Sequence, residues 1–179
     1  MQIKKYLGIS AVAVLMACNN ATDQKAETKD STAKQVETVA VSGVSFKEAK
    51  LQSIYASYIN LKDALVAAKP TEAQTAAKTL ATELKNYSGC ENTALIAQKI
   101  EASKDLVGQR KEFTALSSDV IAMFKHADLN SGTIFVQHCP MANKGDGGDW
   151  LSSEKKIQNP YYGSEMMECG AVVEEIKAK

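Results

Sequence analysis

Leu51-Gln52-Ser53-Ile54-Tyr55-Ala56-Ser57-Tyr58-Ile59-Asn60-Leu61-Lys62-Asp63-Ala64-Leu65 decides the fold class. Its residues Leu51, Ile54, Tyr55, Tyr58, Leu61 and Leu65 recur at intervals of three and four, so they share one face of an α-helix. Upstream, Ser45-Phe46-Lys47-Glu48 has the Ser-x-x-Glu form of a capping box, which predicts the helix start. Downstream, Pro70 interrupts, Thr71-Glu72-Ala73-Gln74 offers a second capping box, and Ala73, Ala77, Leu80, Leu84 and Tyr87 line another face. Ser88-Gly89 breaks that segment, and Leu95, Ile96, Ile100 and Val107 suggest a third helix, with a weak break at Gly108. Phe113, Leu116, Val120, Ile121 and Phe124 make a fourth face, ending near Asn130-Ser131-Gly132. Four amphipathic segments with short connections predict a mainly α protein, an antiparallel four-helix bundle in which each helix buries one stripe.

The pattern changes after Gly132. Thr133-Ile134-Phe135-Val136-Gln137 is β-branched and aromatic, which predicts a short strand. The rest reads as an irregular carboxy-terminal region of turns: Cys139-Pro140-Met141, the glycine-rich Asn143 to Asp149, then Trp150, Asn159-Pro160-Tyr161-Tyr162-Gly163 and Met166-Met167-Glu168-Cys169-Gly170. Soft donors collect here. In an extended segment residues two apart face the same way, so Cys139 and Met141 can present sulfur together. On a helical turn residues three apart are neighbours, so Met166 and Cys169 can do the same. Convergence of the two segments would make a site of two thiolates and two thioethers, a donor set that selects Cu(I). His138 faces the other side of the strand from Cys139 and is a weaker candidate ligand. Equally open is a Cys139–Cys169 disulfide that ties the tail to itself, because exported proteins mature where thiols pair. Cys90 is left over, as a buried thiol or an extra ligand.

At the amino end, Lys4 and Lys5 precede an apolar run from Tyr6 to Leu15. A membrane-spanning helix needs roughly 20 apolar residues, whereas a signal peptide core runs about 7–15. The run ends in Leu15-Met16-Ala17-Cys18, which resembles the lipobox of bacterial lipoproteins. The resemblance implies that residues 1–17 are a signal peptide and that Cys18 carries the lipid. Residues 18–42 then read as the lipidated cysteine and a flexible linker, since the stretch after Cys18 is rich in Ala, Thr, Lys, Asp and Glu and lacks aromatics. Residues 43–179 are left as one domain. The full chain carries 21 basic and 21 acidic residues, so nothing in its charge favours nucleic acid. The expected partner is a membrane, reached through the lipid anchor, on the periplasmic side or at the cell surface.

Val136-Gln137-His138-Cys139-Pro140-Met141, Gly148-Asp149-Trp150-Leu151-Ser152, Ile157 through Gly163 and Met166 through Gly170 closely resemble the Domain of Unknown Function 3347 (DUF3347) family, as does Tyr58 through Val66. Similar domains are appended to periplasmic adaptors of copper and silver efflux systems. The resemblance therefore implies metal handling, with Cys139, Met141, Met166 and Cys169 as candidate ligands. The expected function is Cu(I) binding in the cell envelope, for buffering or transfer to efflux components. A disulfide-stabilised interaction module without metal is the alternative.

Weaker signals point to structure. Asn143, Asp146 and Asp149 depart from the spacing of calcium loops. Trp150, Tyr161 and Tyr162 are expected to plug the tail onto the helices. Two histidines and no Gly-x-Ser-x-Gly element leave no base-activated nucleophile of the usual kind, and no enzyme is expected.

Overall fold

The computed structural model describes residues 43–178; the expected signal peptide, Cys18 and the linker to residue 42 lie outside the described residues. The protein is mainly helical, with antiparallel strands gathered toward its carboxy-terminal end. Four long helices follow one another: α1 (Ala49–Val66), α2 (Pro70–Lys85), α3 (Glu91–Ala102) and α4 (Leu106–Lys125). Each packs chiefly against its neighbour in sequence. Three of the four stripes largely behave as their spacing predicts; on α3 only Ile100 of the expected face is buried and Leu95 is 55% exposed, because Thr93, Ala94 and Ala97 face the core instead. Leu51, Ile54, Tyr55, Tyr58, Leu61 and Leu65 are buried on α1, Ala73, Ala77, Leu80 and Leu84 on α2, and Phe113, Leu116, Val120, Ile121 and Phe124 on α4. Removing apolar surface from water at roughly 25 cal/mol per Å² is the main drive that holds these faces together.

Several helix boundaries differ from the expectation. Ser45–Phe46 forms a short strand, β1, and not a cap; it pairs with β2 (Leu129–Ser131), where Ser45 Oγ meets Ser131 Oγ at 2.8 Å. Helix α1 instead follows Glu48, which makes no side-chain cap bond. Likewise α2 starts at Pro70, suited to a first turn because it has no N–H to satisfy, and Gln74 reaches across to the Glu101 carbonyl at 2.9 Å. The break between α3 and α4 falls at residues 103–105, where Asp105 Oδ1 accepts the Gly108 N–H at 2.9 Å. Val107 therefore belongs to α4, and it is 82% exposed. The fourth helix stops at Lys125, short of the expected Asn130, because Leu129–Ser131 is taken up by pairing with β1.

The tail is more ordered than its sequence suggests. A three-stranded antiparallel sheet holds β3 (Thr133–Cys139) between β4 (Gly148–Ser152) and β5 (Ala171–Lys177). The sheet is fastened to the helices through Tyr58, whose hydroxyl meets Ser117 Oγ at 2.7 Å and accepts the Leu151 N–H at 3.1 Å. Burial pushes that phenol well above the usual range, so it stays neutral. As expected, the aromatics plug the tail onto the helices: Phe113 packs edge-on to Tyr161, and Tyr161 edge-on to Trp150.

Candidate sulfur site

The site grows from the central strand. In β3, Ile134 and Val136 face one side, Gln137 and Cys139 the other, and Cys139 is completely buried. Pro140 has no N–H to continue the ladder, and the strand ends there. Met141 then lies in a turn, with φ −86° and ψ −12°, and its side chain is 52% exposed. The same-side argument for Cys139 and Met141 thus does not apply, because the second of them is not in an extended segment.

Antiparallel pairing of β3 with β5 sets His138 opposite Ala171, which delivers the segment before β5 to the end of β3. There Cys169 Sγ lies 2.7 Å from Cys139 Sγ, across 30 residues of sequence. A disulfide bond measures about 2.03–2.05 Å, and both residues are free thiols here. Cys169 also meets a second predicted donor through the backbone: its N–H donates to the Met166 carbonyl at 3.1 Å. That bond closes a turn over residues 166–169; Met166 itself, with φ −143° and ψ 51°, is outside the short 3₁₀ helix Gly163–Glu165. Close approach of the Cys139 sulfur, then partial desolvation, raise the Cys169 thiol above its ordinary range, and the Met141 amide opposes this.

The Asn-Pro-Tyr-Tyr-Gly segment holds this arrangement in place. Asn159 is fully buried, and its Nδ2 donates to the Cys169 carbonyl at 2.9 Å. Its Oδ1 accepts the Tyr161 N–H at 2.8 Å, and its backbone N–H donates to Met167 at 3.0 Å. The Pro160 carbonyl accepts Arg110 Nε at 2.9 Å, while Arg110 Nη2 reaches the Leu65 carbonyl at 3.1 Å, so helices α1 and α4 grip the loop together. Gly170 follows Cys169 at φ +142°, and a Cβ there would lie 2.7 Å from the His138 carbonyl oxygen. Only glycine fits that approach. Asn159 and Arg110 are positioning residues that sequence reading did not single out. Asn before Pro, followed by two aromatics and Gly, was the available signal, but it reads equally as a plain turn.

Other candidates stand apart. His138 is turned to the opposite side of the strand, where Nδ1 meets Asp149 Oδ1 at 2.8 Å. Asn143 is engaged by Thr114 at 3.1 Å and by the Gly147 carbonyl at 2.8 Å. Cys90 sits at the start of α3, its thiol pushed up by burial and by the nearby Glu91 and Asp119 carboxylates. Among the described residues no three His, Cys, Asp or Glu side chains gather as a metal site.

Residues 54–132 match the family model described as a protein of unknown function, DUF3347. The matched segment takes in the helical part of the chain from within α1 onward and ends before β3, so the likeness is to residues 54–132 and the thiol pair lies outside it. No curated protein and no solved structure matches the chain. The chemistry of the tail therefore rests on its own residues: two adjacent thiols, one buried and one half-buried, with a half-exposed methionine close in sequence to the first.

Proposed function

We propose that this protein is a lipid-anchored cell-envelope protein that binds Cu(I) and buffers it or passes it to a heavy-metal efflux system. The observation that carries the reading is the 2.7 Å approach of Cys139 Sγ and Cys169 Sγ, with Met166 in backbone contact with Cys169 and Met141 two residues after Cys139. Two thiolates hold the ion and the two thioethers complete its shell, a soft donor set that prefers Cu(I) to Ca²⁺, Mg²⁺ or Mn²⁺. His138 takes no part, being engaged by Asp149. Binding releases the thiol protons, and the half-exposed Met141 is the point at which the ion enters from solvent. Anchoring is assigned to Cys18 after removal of residues 1–17, and the efflux link to the family's association with copper and silver adaptors. The four helices are taken as an antiparallel bundle, supported by stacking of Tyr58 on Phe113 and the edge contact of Tyr55 with Phe124 across α1 and α4.

The test is a titration of the reduced full chain with Cu(I) against a competing chelator. Wild type is expected to hold Cu(I) at least a hundred times more tightly than Cys139→Ser/Cys169→Ser; equal affinity removes the proposal. The closeness of the two sulfurs also favours a second reading, a disulfide-stabilised interaction module that binds no metal. Mass spectrometry of protein isolated without reductant separates the two. A complete Cys139–Cys169 bridge that persists in copper-stressed cells selects the module, and reduced, metal-bearing protein selects copper handling.

A further inference from the structure

A cleft of about 640 Å³ opens between the first turns of α4 and the Asn143–Gly147 loop. Its walls carry three cations, Arg110, Lys111 and Lys144, against one acid, Glu165. Tyr162 lines the cleft, and its hydroxyl donates to the Met141 carbonyl at 2.5 Å. Whatever lies against Tyr162 is therefore one hydrogen bond from a predicted copper ligand. Two of the five N–H donors of Arg110 hold Pro160 and Leu65, and the guanidinium keeps others that can take a carboxylate side-on. Lys144 sits at φ +64°, directly after Asn143 at φ +53°. Two successive non-glycine residues in the left-handed region cost energy that the packing around them must offset, and here they place the lysine at the cleft. Val107 on the rim is 82% exposed, so apolar surface flanks the cations; Met141, 52% exposed, lies outside the lining and is joined to it through Tyr162.

We propose that this cleft docks an acidic, methionine-bearing segment of the protein that exchanges Cu(I) with the Cys139–Cys169 centre. Carboxylates of the segment meet Arg110, Lys111 and Lys144, its apolar side chains cover Val107, and docking brings its thioethers to the exposed edge of Met141. An open cleft with cations at its lip suits an extended polypeptide more than an enclosed small anion, and opposite charge speeds encounter and fixes register. The proposal rests on the copper reading for the purpose of docking and on the cleft alone for the docking itself.

The experiment uses the full chain in detergent micelles and a fluorescent ten-residue peptide of alternating Glu and Met, followed by anisotropy. A Lys-Met peptide of equal length and anionic phospholipid vesicles serve as competing probes. The Glu-Met peptide is expected to bind, to weaken several-fold when salt rises from about 0.05 to 0.5 M, and to weaken at least tenfold in Lys111→Glu/Lys144→Asn. Both lysines are exposed, and Asn tolerates the left-handed backbone at position 144, so the variant folds. Equal binding of the Glu-Met and Lys-Met peptides, insensitivity to the double substitution, or preference for vesicles overturns the proposal. Chelator competition on the same variant keeps the two readings apart. Unchanged Cu(I) affinity with lost peptide binding supports a docking surface separate from the metal site. Peptide binding in a wild type that holds no Cu(I) defeats the copper reading, and with it copper exchange as the purpose of docking.

Discussion

In the helical segment, the residues that pack together announce themselves by spacing: Ile54, Tyr58, Leu61 and Leu65 are buried on one face because a helix turns every 3.6 residues. In the tail, Cys139 and Cys169 meet across 30 residues because β3 and β5 pair and Asn159 holds the Cys169 carbonyl. The first kind of order is local and redundant, since each helix contributes several equivalent contacts. The second depends on a few non-local contacts, each with no substitute. Damage to the helices should therefore lower stability while leaving the thiols paired, and damage to the loop contacts should disturb the thiols at smaller cost in stability.

The largest expected effect is Trp150→Ala. Trp150 is fully buried between the sheet and Tyr161, and truncating a buried Trp costs about 3–5 kcal/mol. Urea unfolding should show that loss, together with weakened Cu(I) binding from an indole that packs at Gly170. Leu80→Ala, fully buried on α2, should cost about 2–5 kcal/mol yet leave Cu(I) affinity unchanged at temperatures below unfolding. A parallel fall in affinity would break the separation between the two regions. Asn159→Ala should cost about 1–3 kcal/mol, because it strips the bond from the Cys169 carbonyl and from two buried amide partners. Its effect on Cu(I) affinity should exceed that of Leu80→Ala, the reverse of their order in stability.

The smallest effect is on pH dependence. The Cys169 thiol is raised by Cys139 and by desolvation, so the folded state disfavours its thiolate relative to the unfolded chain. That contribution is intact below the ordinary thiol range and is lost as pH rises through the raised value. Reduced wild type should thus lose stability relative to Cys169→Ser on going above the ordinary thiol range, read from paired denaturation midpoints. On the copper proposal, affinity for Cu(I) should move the opposite way, rising with pH as the thiols ionise; a flat profile would disconnect the thiols from the metal.

The helix faces were legible because a buried stripe repeats with the helical period, and alternatives to it would expose Leu, Ile and Phe together. Capping boxes at Ser45 and Thr71 misled, since the same Ser-x-x-Glu and Thr-x-x-Gln letters serve a strand pair and a proline-led first turn. Val107 falls in the helix after the one its spacing suggests, because Asp105 caps there and Gly108 is helical. β5, Ala171-Val172-Val173-Glu174-Glu175-Ile176-Lys177, is largely exposed on both faces, so it shows no clean alternation that would have marked it as a strand. The segment at Asn159 reads as a plain turn, because nothing local reveals that its side chain closes on a carbonyl ten residues away.

The sequence by itself determined the buried faces of α1, α2 and α4, which follow from periodicity within a few residues, and the side of the strand to which His138 turns, because side chains alternate along it. Tertiary structure alone decided that Cys139 and Cys169 lie side by side, that Asp149 is the partner of His138, and that Met141 sits in a turn and not in the extended run its spacing from Cys139 suggests. The physical reason is range. Backbone geometry repeats over three or four residues, whereas the partner of a β3 thiol is chosen by strand pairing and by buried hydrogen bonds between segments the chain itself holds far apart.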